Sequence, residues 1–189
     1  MGHPHSPFAS RPIGAARGLD AVPPTRLART SMTAPAATRS PAAGEPAPDF
    51  TLQSTGGRAV TLSSFAGRHV LLAFFPAAFT STCTTELCAF TEDFDQFAGH
   101  GVEVLPISVD AVPSLAEFKR RYDMKVDLLS DFKREASQAY GTLWQDAFFS
   151  NRAYFLIDKA GVVRWAHVEA NPGQRRENQE ILAEIAKLA

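Results

Sequence analysis

The sequence predicts an α/β fold: a central mixed sheet flanked by helices, with a small β-hairpin in front of it. Two continuous apolar runs of strand length, residues 69–75 (HVLLAFF) and 102–109 (VEVLPISV), read as strands covered on both faces. Each is followed by a segment with apolar residues at helical spacing. The chain then closes with a strand, a turn, a second strand and a helix, an alternation that suits helices packed on both faces of one sheet.

In chain order, residues 50–53 and 60–62 form the front hairpin, bridged by Gly56-Gly57. The strand at 69–75 ends at Pro76, which cannot continue a sheet ladder. Leu87, Phe90, Phe94 and Phe97 then recur on one helical face, and Gly99 and Gly101 stop the segment, so a helix is expected from Thr82 to about Ala98. The second strand follows at 102–109. Helices are expected at 114–122 and 132–140, a strand at 153–157, its hairpin partner at 162–168 around the turn DKAG (158–161), and a closing helix at 175–188.

Length and composition divide the chain in two. Residues 46–189 suffice for one hydrophobic core and form the predicted domain. Residues 1–45 hold seven of the thirteen prolines, five arginines and only Asp20 and Glu45 as acids, with no apolar period, and are expected to be disordered. The tail carries +3, five basic residues against two acidic ones, and the domain −4, fourteen against eighteen. Neither balance points to nucleic acid. No stretch reaches transmembrane length, and the tail has no apolar centre of the secretory kind. An arginine-rich leader would suit a transit peptide, but its prolines oppose the amphipathic helix such peptides form; Met32 offers an alternative start. A cytosolic setting is expected, because it keeps two thiols reduced.

The chemistry concentrates where the first apolar strand hands over to its helix. Cys83 lies in the first turn of that helix, where unpaired N–H groups and the positive end of the dipole favour thiolate over thiol. A free cysteine is ordinarily a small buried hydrophobe, but this position is one that activates a nucleophile. Cys83 falls on the stripe of Leu87, Phe90, Phe94 and Phe97 and is expected to face inward. Cys88 is rotated by roughly 140°, towards Thr84, Glu92 and Asp95, and is expected to face outward or sideways. Residues five apart on a helix have Cα atoms about 8.6 Å apart, and a disulfide tolerates at most about 7 Å. If Cys83 and Cys88 ever bond, the first turns of the helix must unwind.

The segment FFPAAFTSTCTTELCAF (74–90) resembles the active-site stretch of the peroxiredoxins, whose motif Pro-x-x-x-Thr/Ser-x-x-Cys is met by Pro76, Thr80 and Cys83. Residues 47–76, VEVLPISVD, DLLSDFKREASQAYG and NRAYFLIDKAGVVRWAHV extend the likeness over roughly 46–189. Within this AhpC/TSA-type family it is most similar to the bacterioferritin-comigratory (PrxQ) and AhpE-type groups, in which a second cysteine five residues on is present in some members and absent in others.

The resemblance implies a thioredoxin-like fold and a thiol peroxidase that needs neither metal nor organic cofactor. Cys83 would attack hydrogen peroxide or an alkyl hydroperoxide and become a sulfenic acid. Thr80 would align the peroxide, and Pro76 would screen the thiolate from water. Arg152 would add a permanent positive charge beside the sulfur, and Glu86 matches the position that orients that arginine. Cys88 would resolve the sulfenic acid as a Cys83–Cys88 disulfide, which thioredoxin or a similar thiol protein would reduce. Monomers and homodimers both occur in the resembling groups.

Two other readings stay open beside resolution by Cys88. One is a one-cysteine peroxidase resolved by an external thiol; the other is a sensing module whose helix start unfolds on oxidation. A disulfide oxidoreductase fits less well, since C-x4-C replaces the C-x-x-C such carriers use. His3, His5, His69, His100 and His167 make no metal spacing with the cysteines. Trp144 and Trp165 are expected in the core or at its rim, and Phe79 and Phe149 at the peroxide entrance.

Overall fold

A computed structural model describes residues 39–188. A front hairpin, β1 (Thr51–Ser54) and β2 (Ala59–Thr61), leads through a short 3-10 turn to β3 (His69–Phe74). Then come α1 (Ser81–Glu92), α2 (Phe94–Gly99), β4 (Val102–Ser108), α3 (Val112–Arg121), β5 (Leu129–Ser130) and α4 (Glu135–Ala139). A small hairpin of β6 (Leu143–Trp144) and β7 (Phe149–Ser150) precedes β8 (Ala153–Ile157) and β9 (Val163–Val168), and α5 (Asn178–Ile185) follows, running into a 3-10 turn at Ala186–Leu188.

Seven strands form one mixed sheet in the order β2-β1-β5-β4-β3-β8-β9, with helices against it, a thioredoxin-like α/β fold. β3 runs parallel to β4 and antiparallel to β8. Its side chains alternate between two buried cores. Leu71, Ala73 and Phe75 face Cys83, Leu87, Phe90, Phe97, Leu115, Phe118 and Ile181, while Val70, Leu72 and Phe74 face Phe50, Leu52, Ala136 and Tyr140. Burial on both faces explains the unbroken apolar run, and each large side chain so buried stabilises the fold by about 1.5–3 kcal/mol.

Strand register fixes where the site forms. Phe74, the last residue of β3, pairs with Ile107 on one side and Ala153 on the other. The loop after β3, the end of β4 and the residue before β8 therefore meet at one edge of the sheet, at the carboxyl end of its parallel strands.

Several elements differ from expectation for local reasons. The single helix expected from Thr82 to Ala98 is two, separated at Asp93, whose backbone at φ −92° and ψ 12° leaves the helical region and whose carboxylate accepts Gln96 Nε2 at 2.6 Å and Asn178 Nδ2 at 2.8 Å. The apolar stripe survives the break, as Phe90 and Phe97 meet edge to face at 5.6 Å. The helix expected at 132–140 shrinks to α4, because Arg134 adopts a left-handed φ of 65° and Asp131 takes the backbone N–H groups of Ala136 and Ser137; Phe132 is left exposed. The closing helix begins at Asn178 instead of Arg175, and residues 169–177 are loop.

The folded unit also begins before the expected boundary at 45/46. Gly44 N–H donates to the Val163 carbonyl at 2.8 Å and Val163 N–H to the Glu45 carbonyl at 2.9 Å, so residues 44 and 45 already pair with β9. The expected disorder of the rest of the tail, up to residue 38, lies outside the described residues. Among the described residues no helix is long and apolar enough to cross a membrane.

Candidate active site

Pro76 is buried at the point where the chain leaves the sheet, just after Phe75 N–H makes its bond to the Ile107 carbonyl at 2.9 Å. The loop that follows is held from β4: Asp110 Oδ2 accepts Ala78 N–H at 2.9 Å and the Ser108 hydroxyl at 2.9 Å. Phe79 sits at φ 64°, a conformation costly for a side chain of this size. Its half-exposed ring rests 4.8 Å from Phe118, a contact that compensates the strain.

Thr80 is extended and exposed and stands at the helix N-cap, yet its hydroxyl donates back to the Ala77 carbonyl at 3.0 Å and caps nothing. The first-turn N–H groups of α1 are thus free of this side chain, which leaves the positive end of the helix open to an anion. Cys83 lies in that turn and is 1 % exposed.

Arg152 reaches the same place from the position just before β8 and is completely buried. Its Nη2 donates to Cys83 Sγ at 3.2 Å and to the Pro172 carbonyl at 3.2 Å, and its Nη1 donates to Glu86 Oε2. The other carboxylate oxygen, Oε1, accepts the Tyr154 hydroxyl at 2.5 Å, and Tyr154 in turn accepts Arg176 N–H at 3.1 Å. Cys83, Arg152, Glu86 and Tyr154 make one connected buried network.

Its electrostatics follow from burial against pairing. Burial pulls the Arg152 guanidinium down, but Glu86 and Cys83 outweigh that pull and hold it above its ordinary value, so it stays charged. Burial pushes the Glu86 carboxyl up, to about 7, against the opposing pull of Arg152 and the Tyr154 hydroxyl. A buried guanidinium is tolerated only when paired, and here its partners are a carboxylate that takes up a proton near neutrality and a sulfur. The site sets a charged, buried guanidinium against that sulfur at 3.2 Å.

Cys88 takes no part in this network. It lies on the same unbroken helix but in the wall of an open cleft of about 520 Å³, with Thr84, Glu92, Arg175 and Asn178. Partial burial and the neighbouring Glu92 push its thiol up, so it is a weaker nucleophile than an ordinary cysteine while the helix is intact. Both cysteines are free. Phe149 packs on Trp144 at 5.8 Å in the β6–β7 hairpin, and Trp165 stacks on Tyr154 at 6.2 Å.

Three participants were not foreseen. Tyr154 could have been found, since it lies two residues after Arg152 on a strand and so shares its face. Asp110 follows the carboxyl end of a parallel strand, where α/β sites gather. The Pro172 carbonyl gives no sequence signal, because any residue could supply it.

Residues 43–166 match the AhpC/TSA family. The chain is 40% identical over 126 residues to chloroplastic peroxiredoxin Q of Oryza sativa subsp. japonica, covering 66% of this chain and 58% of that protein, so it spans little more than half that relative's length. It is 36% identical over 139 residues to alkyl hydroperoxide reductase E of Mycobacterium tuberculosis, covering 72% and 90%. Among solved structures, it is similar to the reduced Plasmodium vivax 2-Cys peroxiredoxin (TM-score 0.71, 33% identity, 76% of this chain and 80% of that one). It is likewise similar to the peroxidoxin BcpB of M. tuberculosis (TM-score 0.71, 27% identity, 79% and 99%).

Proposed function

The chain belongs to the AhpC/TSA family of peroxiredoxins, and from that premise we propose that it is a thiol-dependent peroxidase acting on hydrogen peroxide and organic hydroperoxides through Cys83. The observation that carries the reading is the 3.2 Å contact of a wholly buried, permanently charged Arg152 with Cys83 Sγ at an uncapped helix N-terminus.

In the first step the Cys83 thiolate attacks one peroxide oxygen. An S–O bond forms, the O–O bond breaks, and the leaving oxygen departs as water or alcohol after gaining a proton, leaving a sulfenic acid. Arg152 Nη2 and the first-turn N–H groups stabilise the charge as it moves from sulfur to oxygen. The Thr80 hydroxyl, which spends its hydrogen on Ala77, presents lone pairs that accept a hydrogen bond from the peroxide. Pro76 keeps water from the sulfur.

In the second step Cys88 attacks the Cys83 sulfenic sulfur, an S–S bond forms and water leaves. Thioredoxin or a similar dithiol then restores both thiols, in a cytosolic setting that keeps them reduced. This step requires the first turns of α1 to open, since the cysteines face different sides of one helix. That separation also supports a second reading, a one-cysteine cycle in which an external thiol attacks Cys83 directly. The deciding experiment is intact-mass measurement after one equivalent of peroxide. Loss of two hydrogens supports internal resolution, gain of one oxygen supports the one-cysteine cycle, and no change overturns the peroxidase.

A further inference from the structure

The loop 169–177 between β9 and α5 touches the buried network from outside, and its two ends are tied to each other. Pro172 accepts Arg152 Nη2 at 3.2 Å, the Arg176 N–H donates to the Tyr154 hydroxyl at 3.1 Å, and Glu169 N–H donates to the Arg152 carbonyl at 2.9 Å. Glu169 is a buried carboxylate, 3 % exposed at its side chain, and its Oε1 accepts Arg176 Nε at 2.9 Å across seven residues of chain. Its Oε2 lies 3.2 Å from His167 Nε2, and its carbonyl takes Asn151 Nδ2 at 2.7 Å. A carboxylate so buried is retained only with its counter-charge in place. The pair therefore closes the loop, and the closed loop sets the Pro172 carbonyl at hydrogen-bond distance from Arg152 itself and the Arg176 amide at hydrogen-bond distance from Tyr154, which holds Glu86.

We propose that Glu169 and Arg176 are positioning residues for the attack by Cys83: their ion pair clasps the 169–177 loop so that Pro172 fixes the Arg152 guanidinium from one side, while Tyr154, held by the Arg176 amide, fixes Glu86 on the other. The inference rests on the peroxidase reading. Arg152 makes hydrogen bonds to Cys83, Glu86 and Pro172, and its buried Nε has no partner among the described residues, so the orientation of its planar fork depends on all three. Removing the Pro172 contact frees Nη2 to turn from the sulfur.

The test compares the parent with Glu169→Gln, Arg176→Gln and Arg176→Lys, each alone and combined with Arg152→Gln. Two quantities are read: the rate of Cys83 oxidation by hydrogen peroxide across pH, and the Cys83 thiolate fraction at neutral pH by ultraviolet absorbance. Glu169→Gln and Arg176→Gln lower the rate about 10-fold, move its pH profile towards higher pH and lower the thiolate fraction, and Arg176→Lys restores most of each. In the Arg152→Gln background the same substitutions cost less than about twofold, since coupled residues are not additive. An unchanged thiolate fraction, or equal losses in both backgrounds, overturns the clasp. Arg176 is a third exposed, so its variants carry the test if Glu169→Gln does not fold. A parent inert to peroxide overturns the peroxidase reading, while the thiolate fractions still decide the clasp.

Discussion

Arg152 and Cys83 are 69 residues apart in sequence, yet the guanidinium Nη2 donates to the cysteine sulfur at 3.2 Å, with both side chains closed to solvent. β-Sheet register makes the contact: the end of β3, which leads into α1, pairs with the start of β8, and Arg152 is the residue just before it. Replacing Arg152 by Gln will slow Cys83 oxidation on the order of 100-fold, as expected for losing a preorganised charged donor. Arg152→Lys will recover little, because one ammonium cannot contact sulfur, carboxylate and carbonyl in the same plane. Stopped-flow oxidation with hydrogen peroxide checks both; a Lys variant as fast as the parent would show that charge alone suffices.

Glu86 makes a pH signature. Its carboxyl titrates near 4.5 in the unfolded chain and is raised to about 7 in the fold. Between these values the folded protein holds a proton that the unfolded chain has released, so this group's contribution to stability is full below about 4.5 and is lost as pH rises through about 7. The loss is on the order of 3 kcal/mol. Glu86→Gln cannot titrate, so the stability of the parent relative to this variant will fall with rising pH over that window. Urea melts of the two proteins across pH measure the difference; a flat or rising difference contradicts the assigned direction.

Thr80 separates chemistry from stability. Its hydroxyl makes one exposed bond to the Ala77 carbonyl, so Thr80→Val will cost about 1 kcal/mol of stability or less. The oxidation rate will fall at least about 10-fold if the hydroxyl orients peroxide, the usual scale for a positioned polar group. Parallel thermal melts and peroxide kinetics give the comparison, and a variant that loses stability but keeps its rate makes Thr80 structural only.

Cys88→Ser will leave the first oxidation rate within about twofold of the parent, because Cys88 lies outside the buried network. It will abolish the internal disulfide and thioredoxin-supported turnover. A coupled assay with a thioredoxin system reads this, and full turnover by the variant establishes the one-cysteine cycle.

The architecture was legible where apolar pattern is set by burial on both sides. β3 and β4, with their cores on either face, could be read from residues 69–75 and 102–109, and Cys83 was placed inward by the stripe it shares with Leu87 and Phe90. What could not be read depends on the local backbone conformation and bonding of single polar residues. Asp93 divides one apolar helix into two, and Asp131 with a left-handed Arg134 shortens α4, neither of which alters the hydrophobic period. β5, β6 and β7 are two residues each, too short for any period to show. In the site, Cys83 was legible from its place in the first turn of a helix, and the family's motif added Pro76 and Thr80 on the same local segment. Arg152 and Glu86 came through family resemblance, since neither spacing nor composition links residues this far apart. Asp110, Tyr154 and the Pro172 carbonyl join only through tertiary contacts.

The central claim is that Cys83 is held as a thiolate by Arg152 and the open end of α1. Ultraviolet titration of the Cys88→Ser protein, with Cys83 its one remaining cysteine, tests it most directly. The account predicts a sulfur already ionised at neutral pH that is consumed by one equivalent of hydrogen peroxide. A sulfur that stays protonated at neutral pH and does not react would contradict it.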